Sequence, residues 1–209
     1  MSVYSSYTKT YLSVLVLRLM KGSYQMNHQI SLLPPVTVDT APEQSRPILE
    51  NVKKSFKFIP NLFGVFANSP TMLEGYVGLE KVFGAGTFSP VERQIILLSA
   101  SVENRCDYCI AAHSTLLKAF LHVPAEVVSA VRSNEPVSDS KLSALVALTK
   151  QIVTERGHVS AQVMDNFLAV GYQNNQVLEV LVGVALKTMS NYLDHISPTE
   201  LDPAFQAEA

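Results

Sequence analysis

Charge is what this chain has least of. Asp, Glu, Lys and Arg make up 16% of its 209 residues, against roughly 25% in ordinary globular domains. Hydrophobic residues make up 47%, too many for disorder and enough to point to buried contacts between subunits. Neither sign of charge dominates: 16 basic and 18 acidic residues leave a net −2, so the electrostatic footprint of a nucleic-acid or anionic-membrane binder is missing. Cysteine is scarce, and two residues exclude a disulfide-stapled secreted scaffold. Long apolar runs are missing too. Tyr11 to Met20 is interrupted by Arg18, is followed by no small-residue cleavage site, and falls short of the roughly 20 residues that span a bilayer. The expectation is a soluble, cytoplasmic protein with no membrane partner. Period-two alternation, the mark of half-buried strands, is also lacking.

What is present is the punctuation of an all-helical protein. Pro42, Pro70, Pro90, Pro124 and Pro198 each precede an apolar-periodic stretch, as suits proline in a first helical turn, where its missing N–H costs nothing. Helices are expected near 43–57, 70–84, 90–103, 105–120, 124–133, 138–156, 160–170 and 175–194, with a last turn near 198–202. Ser138 to Glu155 carries one buried stripe (Leu142, Leu145, Val146, Thr149, Ile152, Val153), whereas Ile95–Val102 and Val177–Leu193 are apolar almost all round and need enclosure on every side. A homo-oligomer follows as an expectation. Gln94 and Gln176 stand at equal offsets before His113 and His195, which reads as an internal helical pseudo-repeat. The length fits one generous domain, placed at 38–209. Residues 1–37 read as an N-terminal extension, of which 1–25, ahead of Met26, stand apart from the fold.

The chemistry rests on the cysteines. Two cysteines placed at random in 209 residues fall three apart about once in a hundred, and here they read Cys106-Asp107-Tyr108-Cys109. On a helix that spacing brings both sulfurs to one face, within reach of reversible disulfide closure. Asn104 is expected as N-cap with Asp107 in a capping-box-like relation, which places the cysteines in the first two turns, where unpaired N–H groups favour an anion. His113, four residues after Cys109, shares its face and can take its proton. Dipole proximity nominates Cys106 as the activated thiol and histidine contact nominates Cys109, and the residues alone leave both open. A zinc site would need a fourth ligand that the pattern does not show. Phe56, Phe58, Phe63 and Phe66 read as core, or as the wall of an apolar pocket.

The stretch Ser89–Ser114, SPVERQIILLSASVENRCDYCIAAHS, resembles the alkyl hydroperoxidase D-like core of the carboxymuconolactone decarboxylase-like superfamily, in its peroxidase-related branch. The ending Asn191-Tyr192-Leu193-Asp194-His195, with Thr199-Glu200-Leu201-Asp202 after it, is similar to that branch as well. The resemblance implies an all-α helical bundle, a trimer or hexamer, and a thiol peroxidase without metal or other cofactor. Its substrate would be an alkyl hydroperoxide and its reductant a dithiol or lipoyl-bearing protein. Cys109 would be the peroxidatic thiolate, Cys106 the resolving thiol and His113 the proton relay. The glutamate the family places twelve residues before the first cysteine is Gln94 here, which can orient an imidazole but not accept a proton, and Glu92 points about 200° away on an ideal helix. Tyr108, Asn191 and His195 rank as relay or surrounding residues; His195 reads first as a satisfied core or interface histidine. Alternatives are a lactone decarboxylase of the same superfamily and a non-catalytic, redox-responsive oligomer.

Overall fold

A computed structural model describes residues 33–209; the reading of residues 1–25 as separate from the fold concerns residues outside that range. Among the described residues there are nine α-helices and no strand. In chain order they are α1 (Arg46–Phe56), α2 (Asn61–Phe66), α3 (Pro70–Gly84), α4 (Pro90–Asn104), α5 (Asp107–Thr115), α6 (Ala125–Arg132), α7 (Ser140–Thr154), α8 (Ala161–Ala169) and α9 (Asn174–Ile196). 3₁₀ segments flank them, one turn at Glu43–Ser45 and two at Pro203–Glu208, and α5 runs on into a π-type turn, Leu116–Phe120.

Most starts lie where local chemistry puts them. Ser69, Ser89, Asp139 and Ser160 each accept a backbone N–H three residues on, which satisfies one of the orphan donors of a first turn. At α4 the cap is reciprocal: Ser89 Oγ accepts from Glu92 N and Glu92 Oε2 accepts from Ser89 N at 2.8 Å. Pro70 and Pro90 occupy first-turn positions, but Pro42 and Pro124 sit one step earlier, as caps, and the turn expected at 198–202 is displaced to Pro203–Glu208. The helix over 61–66 was not expected from the sequence. Its N-cap, Pro60, has no side chain to offer, and the donor at Asn61 N is met instead by the carboxylate of Asp202, at 3.0 and 3.2 Å.

The core is built round α4, which packs against α5, α6, α7 and α9. Every residue from Ile95 to Ser101 is buried, as a helix apolar on all sides requires. On α9 the inner face is buried, while Leu178 and Leu181 keep 66% and 52% of their surface open. α9 approaches α4 and α3 closely at Gly183, where an added Cβ would stand 2.8 Å from Ile96 Cγ2 and 2.9 Å from Phe83 Cζ. The shared offset of the pseudo-repeat is carried by different local geometry: Gln94 and His113 lie on two helices, Gln176 and His195 on one unbroken helix. Ahead of α1, Val36 N donates to Gly64 O at 3.1 Å and Asn68 Nδ2 donates to Pro34 O, so packing is already under way at residue 34. No described helix is long and apolar enough to cross a membrane. Gly183→Ala is expected to destabilise the protein by about 1–3 kcal/mol through overpacking, read as a fall of several degrees in thermal midpoint.

Candidate functional site

The site begins at an elbow. Arg105 turns left-handed (φ 59°) and ends α4, and Cys106 N then donates back to Ser101 O at 3.1 Å, a bond that closes a helix end and fixes the exit direction of the chain. Cys106 is at once the residue after that stop and the N-cap of α5, its Sγ accepting from Cys109 N at 3.4 Å. This corrects the expected cap: Asn104 is the last residue of α4, Asp107 opens α5, and both cysteines fall in a single first turn.

α9 pins the elbow from outside. Asn104 Nδ2 donates to Asn191 Oδ1 at 3.0 Å, Asn191 Nδ2 donates to Ser101 Oγ at 3.3 Å, and His195 Nε2 donates to Arg105 O at 3.2 Å. Asn191 and His195 therefore hold the backbone that carries the cysteines, and neither borders the cavity at Cys109. Asp194, from the same turn of α9, faces Cys106, with Oδ2 3.4 Å from Sγ.

Cys109 opens instead onto an internal cavity of about 70 Å³, bordered also by Lys187, His113, Tyr76, Phe63 and Leu186. That is room for about two waters. Lys187 is the residue the sequence reading passed over. It is 1% exposed, a charge directly after the unbroken apolar run Val180–Leu186, and that misfit with its surroundings was the signal available. Burial works against its ammonium, yet the attraction of Cys109, Tyr76 and Cys106 outweighs it and the pKa is raised. Ser190, one turn on, places Oγ 3.8 Å from Cys109 Sγ.

These neighbours separate the two thiols. Cys109 is lowered to about 6: a hydrogen bond from the Cys106 thiol comes first, burial opposes, and the Lys187 charge and hydrogen bonds from Lys187 and Ser190 add to the lowering. Cys106 is pushed up, because its proton is shared with Cys109, it is buried, and the charges of Cys109 and Asp194 both repel an anion there. Of the two nominations left open by the sequence, these shifts favour Cys109, through Cys106 and Lys187 and not through the histidine contact that nominated it.

His113 is placed differently from expectation. Its Nδ1 lies 2.8 Å from Gln94 Oε1, and no hydrogen bond joins it to Cys109. Burial and the nearby Lys187 hold it well below the usual imidazole range, so at neutral pH it is uncharged: with Gln94 accepting from Nδ1–H, its other nitrogen is an acceptor. Glu92 is spent on its capping box and on Tyr172, whose hydroxyl donates to Oε1 at 2.9 Å, and Glu103 pairs with Lys150. Tyr108 lines the cavity while its hydroxyl donates to Asp202 at 2.5 Å. Asp202 thereby ties α5 to the start of α2. The phenylalanines divide: Phe56 and Phe63 wall the cavity, Phe58 lies outside it, and Phe66 packs on Tyr76 in the core.

The carboxymuconolactone decarboxylase family description matches residues 70–151, the span from α3 through most of α7. No curated protein matches the chain. Among solved structures, the alkylhydroperoxidase AhpD core of an uncharacterised peroxidase-related protein from Ralstonia eutropha JMP134 superposes with a TM-score of 0.75 at 19% identity, over 83% of this chain and 93% of that one. The apo debrominase Bmp8 gives 0.72 at 20% identity, over 87% and 97%. A peroxidase-related protein from Silicibacter sp. TM1040 gives 0.71 at 14% identity, over 84% and 95%. The stretch that holds the cysteine elbow is thus similar to the carboxymuconolactone decarboxylase family, and the chain has the fold of these alkylhydroperoxidase AhpD core structures.

Proposed function

We propose that the protein is a cysteine-based peroxidase that reduces hydroperoxides to alcohols. One observation carries the reading: Cys109, whose pKa the Cys106 thiol and the buried Lys187 both lower, is the sulfur that faces the cavity, and Cys106 sits one helical turn away without facing it. The superfamily's peroxidase-related members and the debrominase, solved also as a cysteine-to-alanine variant holding 2,3,4-tribromopyrrole, support a cysteine on this fold meeting a small substrate.

The Cys109 thiolate attacks the distal peroxide oxygen; an S–O bond forms, the O–O bond breaks, and the hydroxyl passes to sulfur as a sulfenic acid. The alkoxide takes a proton from the Lys187 ammonium and leaves as alcohol. His113, uncharged, orients through its Gln94 bond and serves as acceptor; the role of acid expected of it passes to Lys187. The Cys106 thiol then condenses with the sulfenic acid, releasing water and closing a disulfide. A dithiol protein, lipoyl-bearing or otherwise, takes up the disulfide's oxidising equivalents, and the proton returned to Cys109 moves to Lys187. The exposed apolar side chains of α9 support a homo-oligomer of this enzyme.

One equivalent of hydroperoxide followed by intact-mass measurement should remove two hydrogens from the wild type, with recovery by dithiol. Cys109→Ser should abolish oxidation, whereas Cys106→Ser should stop at a trappable sulfenic acid; the reverse pattern would exchange the two roles, and no oxidation of either would leave the redox-responsive oligomer or the lactone decarboxylase. The pH profile follows from the lowered Cys109: below about 6 the thiol is protonated and oxidation slow, and the rate climbs through that value to a plateau by pH 7. Lys187→Met removes one member of a buried pair and should raise the midpoint above 6 and slow oxidation at pH 7 several-fold, while the hydrogen bond from Cys106 still holds the thiol below its ordinary value near 8.5. A midpoint left near 6 would remove Lys187 from the account.

A further inference from the structure

The cavity at Cys109 admits little more than a peroxide group, yet it does not stand alone. Next to it lies a larger chamber of about 580 Å³, and the two share Phe56, Gln94, Leu116 and Phe205 as walls. That volume suits a small organic molecule. The chamber is formed where four segments meet: the end of α1, the first turn of α4, the π-type turn after α5, and the C-terminal 3₁₀ segment. Its lining is chiefly apolar, with Phe58, Leu121 and Phe120 prominent. Phe120 keeps 69% of its surface open, and the wider π turn that carries it is a feature frequently found at functional sites.

Two cations and no carboxylate line this chamber: Lys57 and Arg93. Among the described residues neither forms an ion pair, in contrast to Lys118, Arg132, Lys141 and Lys150. Lys57 Nζ meets only the carbonyl of Lys54, and Arg93 Nη1 only that of Phe88. Lys57 is itself fixed by the left-handed turn that closes α1 (φ 69°). The other hollow that borders the inner cavity, on the side of Phe63, presents Glu80 beside Lys81, which gives an anion no net attraction. An apolar wall with two carbonyl-bound cations and no acid is complementary to an amphipathic anion.

We propose that the outer chamber selects an aliphatic hydroperoxide bearing a carboxylate, with Lys57 and Arg93 receiving the carboxylate, Phe58, Phe120 and Leu121 the hydrocarbon, and the shared neck at Gln94 and Leu116 passing the hydroperoxide to Cys109. This deepens the peroxidase reading and rests on it for the reaction, but the binding stands on the chamber alone.

The two are separated by measuring both. In the full-length wild type, linoleic acid hydroperoxide should oxidise Cys109 at least tenfold faster than its methyl ester in quenched-flow mass measurements, and the Lys57→Gln/Arg93→Gln double variant should bring acid and ester within about twofold of each other. Calorimetry with dodecanoate should show binding that the double variant weakens by tenfold or more and that added salt weakens as well. Phe120→Asp, at an exposed position where folding is not at stake, should weaken dodecanoate by at least as much. Equal rates for acid and ester in the wild type, a preference that survives the double variant, or no dodecanoate binding would each overturn the proposal. If hydrogen peroxide and both hydroperoxides leave Cys109 reduced, the peroxidase reading fails; dodecanoate binding lost in Phe120→Asp would then uphold the chamber as a site for carboxylated apolar ligands, and its absence would sink both.

Discussion

An ammonium group with 1% exposure stays charged only if an anion stands beside it, since removing one member of a buried ion pair costs about 3–5 kcal/mol. Lys187 and Cys109 meet that condition for each other: the lysine is raised by the sulfur and the sulfur lowered by the lysine. The pair accounts for the rest of the site. Burial and the lysine together hold His113 neutral, so the histidine orients through its bond to Gln94 instead of titrating. The pair also couples chemistry to charge. On the proposed peroxidase reaction, oxidation that consumes the thiolate takes the lysine's counter-ion away at the moment the departing alkoxide needs a proton.

Selecting one sulfur requires that the two be treated unequally, and the elbow achieves this with backbone. Because Cys106 is both the closing residue of α4 and the cap of α5, its side chain cannot follow Cys109 toward the cavity; it is left facing Asp194, and the hydrogen bond to Cys109, burial, and the charges of Cys109 and Asp194 keep it protonated. Asn191 and His195 fix the same corner by bonds to Asn104, Ser101 and Arg105. Their contribution to any redox chemistry is positional, through the rigidity of the turn that sets one sulfur beside the lysine and the other beside the carboxylate.

The C-terminal segment closes the arrangement. Asp202 accepts from Tyr108 and from the first N–H of α2, and Phe205, three residues on, stacks edge-on with Tyr108 and walls both cavities. A single carboxylate thus joins the cysteine helix, the phenylalanine helix and the chain end.

Much of this was determined locally and was legible in the residues. Helix starts at Ser69, Ser89, Asp139 and Ser160 follow from caps within three residues, and the cysteine spacing, with His113 one turn on, follows from helical periodicity. Contacts between distant segments were decided only by the tertiary structure. The helix over 61–66 takes its cap from Asp202, 141 residues away, so no local pattern announces it. Periodicity places Asn191 and His195 on one face of α9 but cannot say that this face meets the elbow and not the cavity. Lys187 shows the same division: the sequence contains a charge on an apolar helix, and only the docking of α9 against α5 sets that charge beside a sulfur, because electrostatic pairing depends on separation in space, which chain order does not encode.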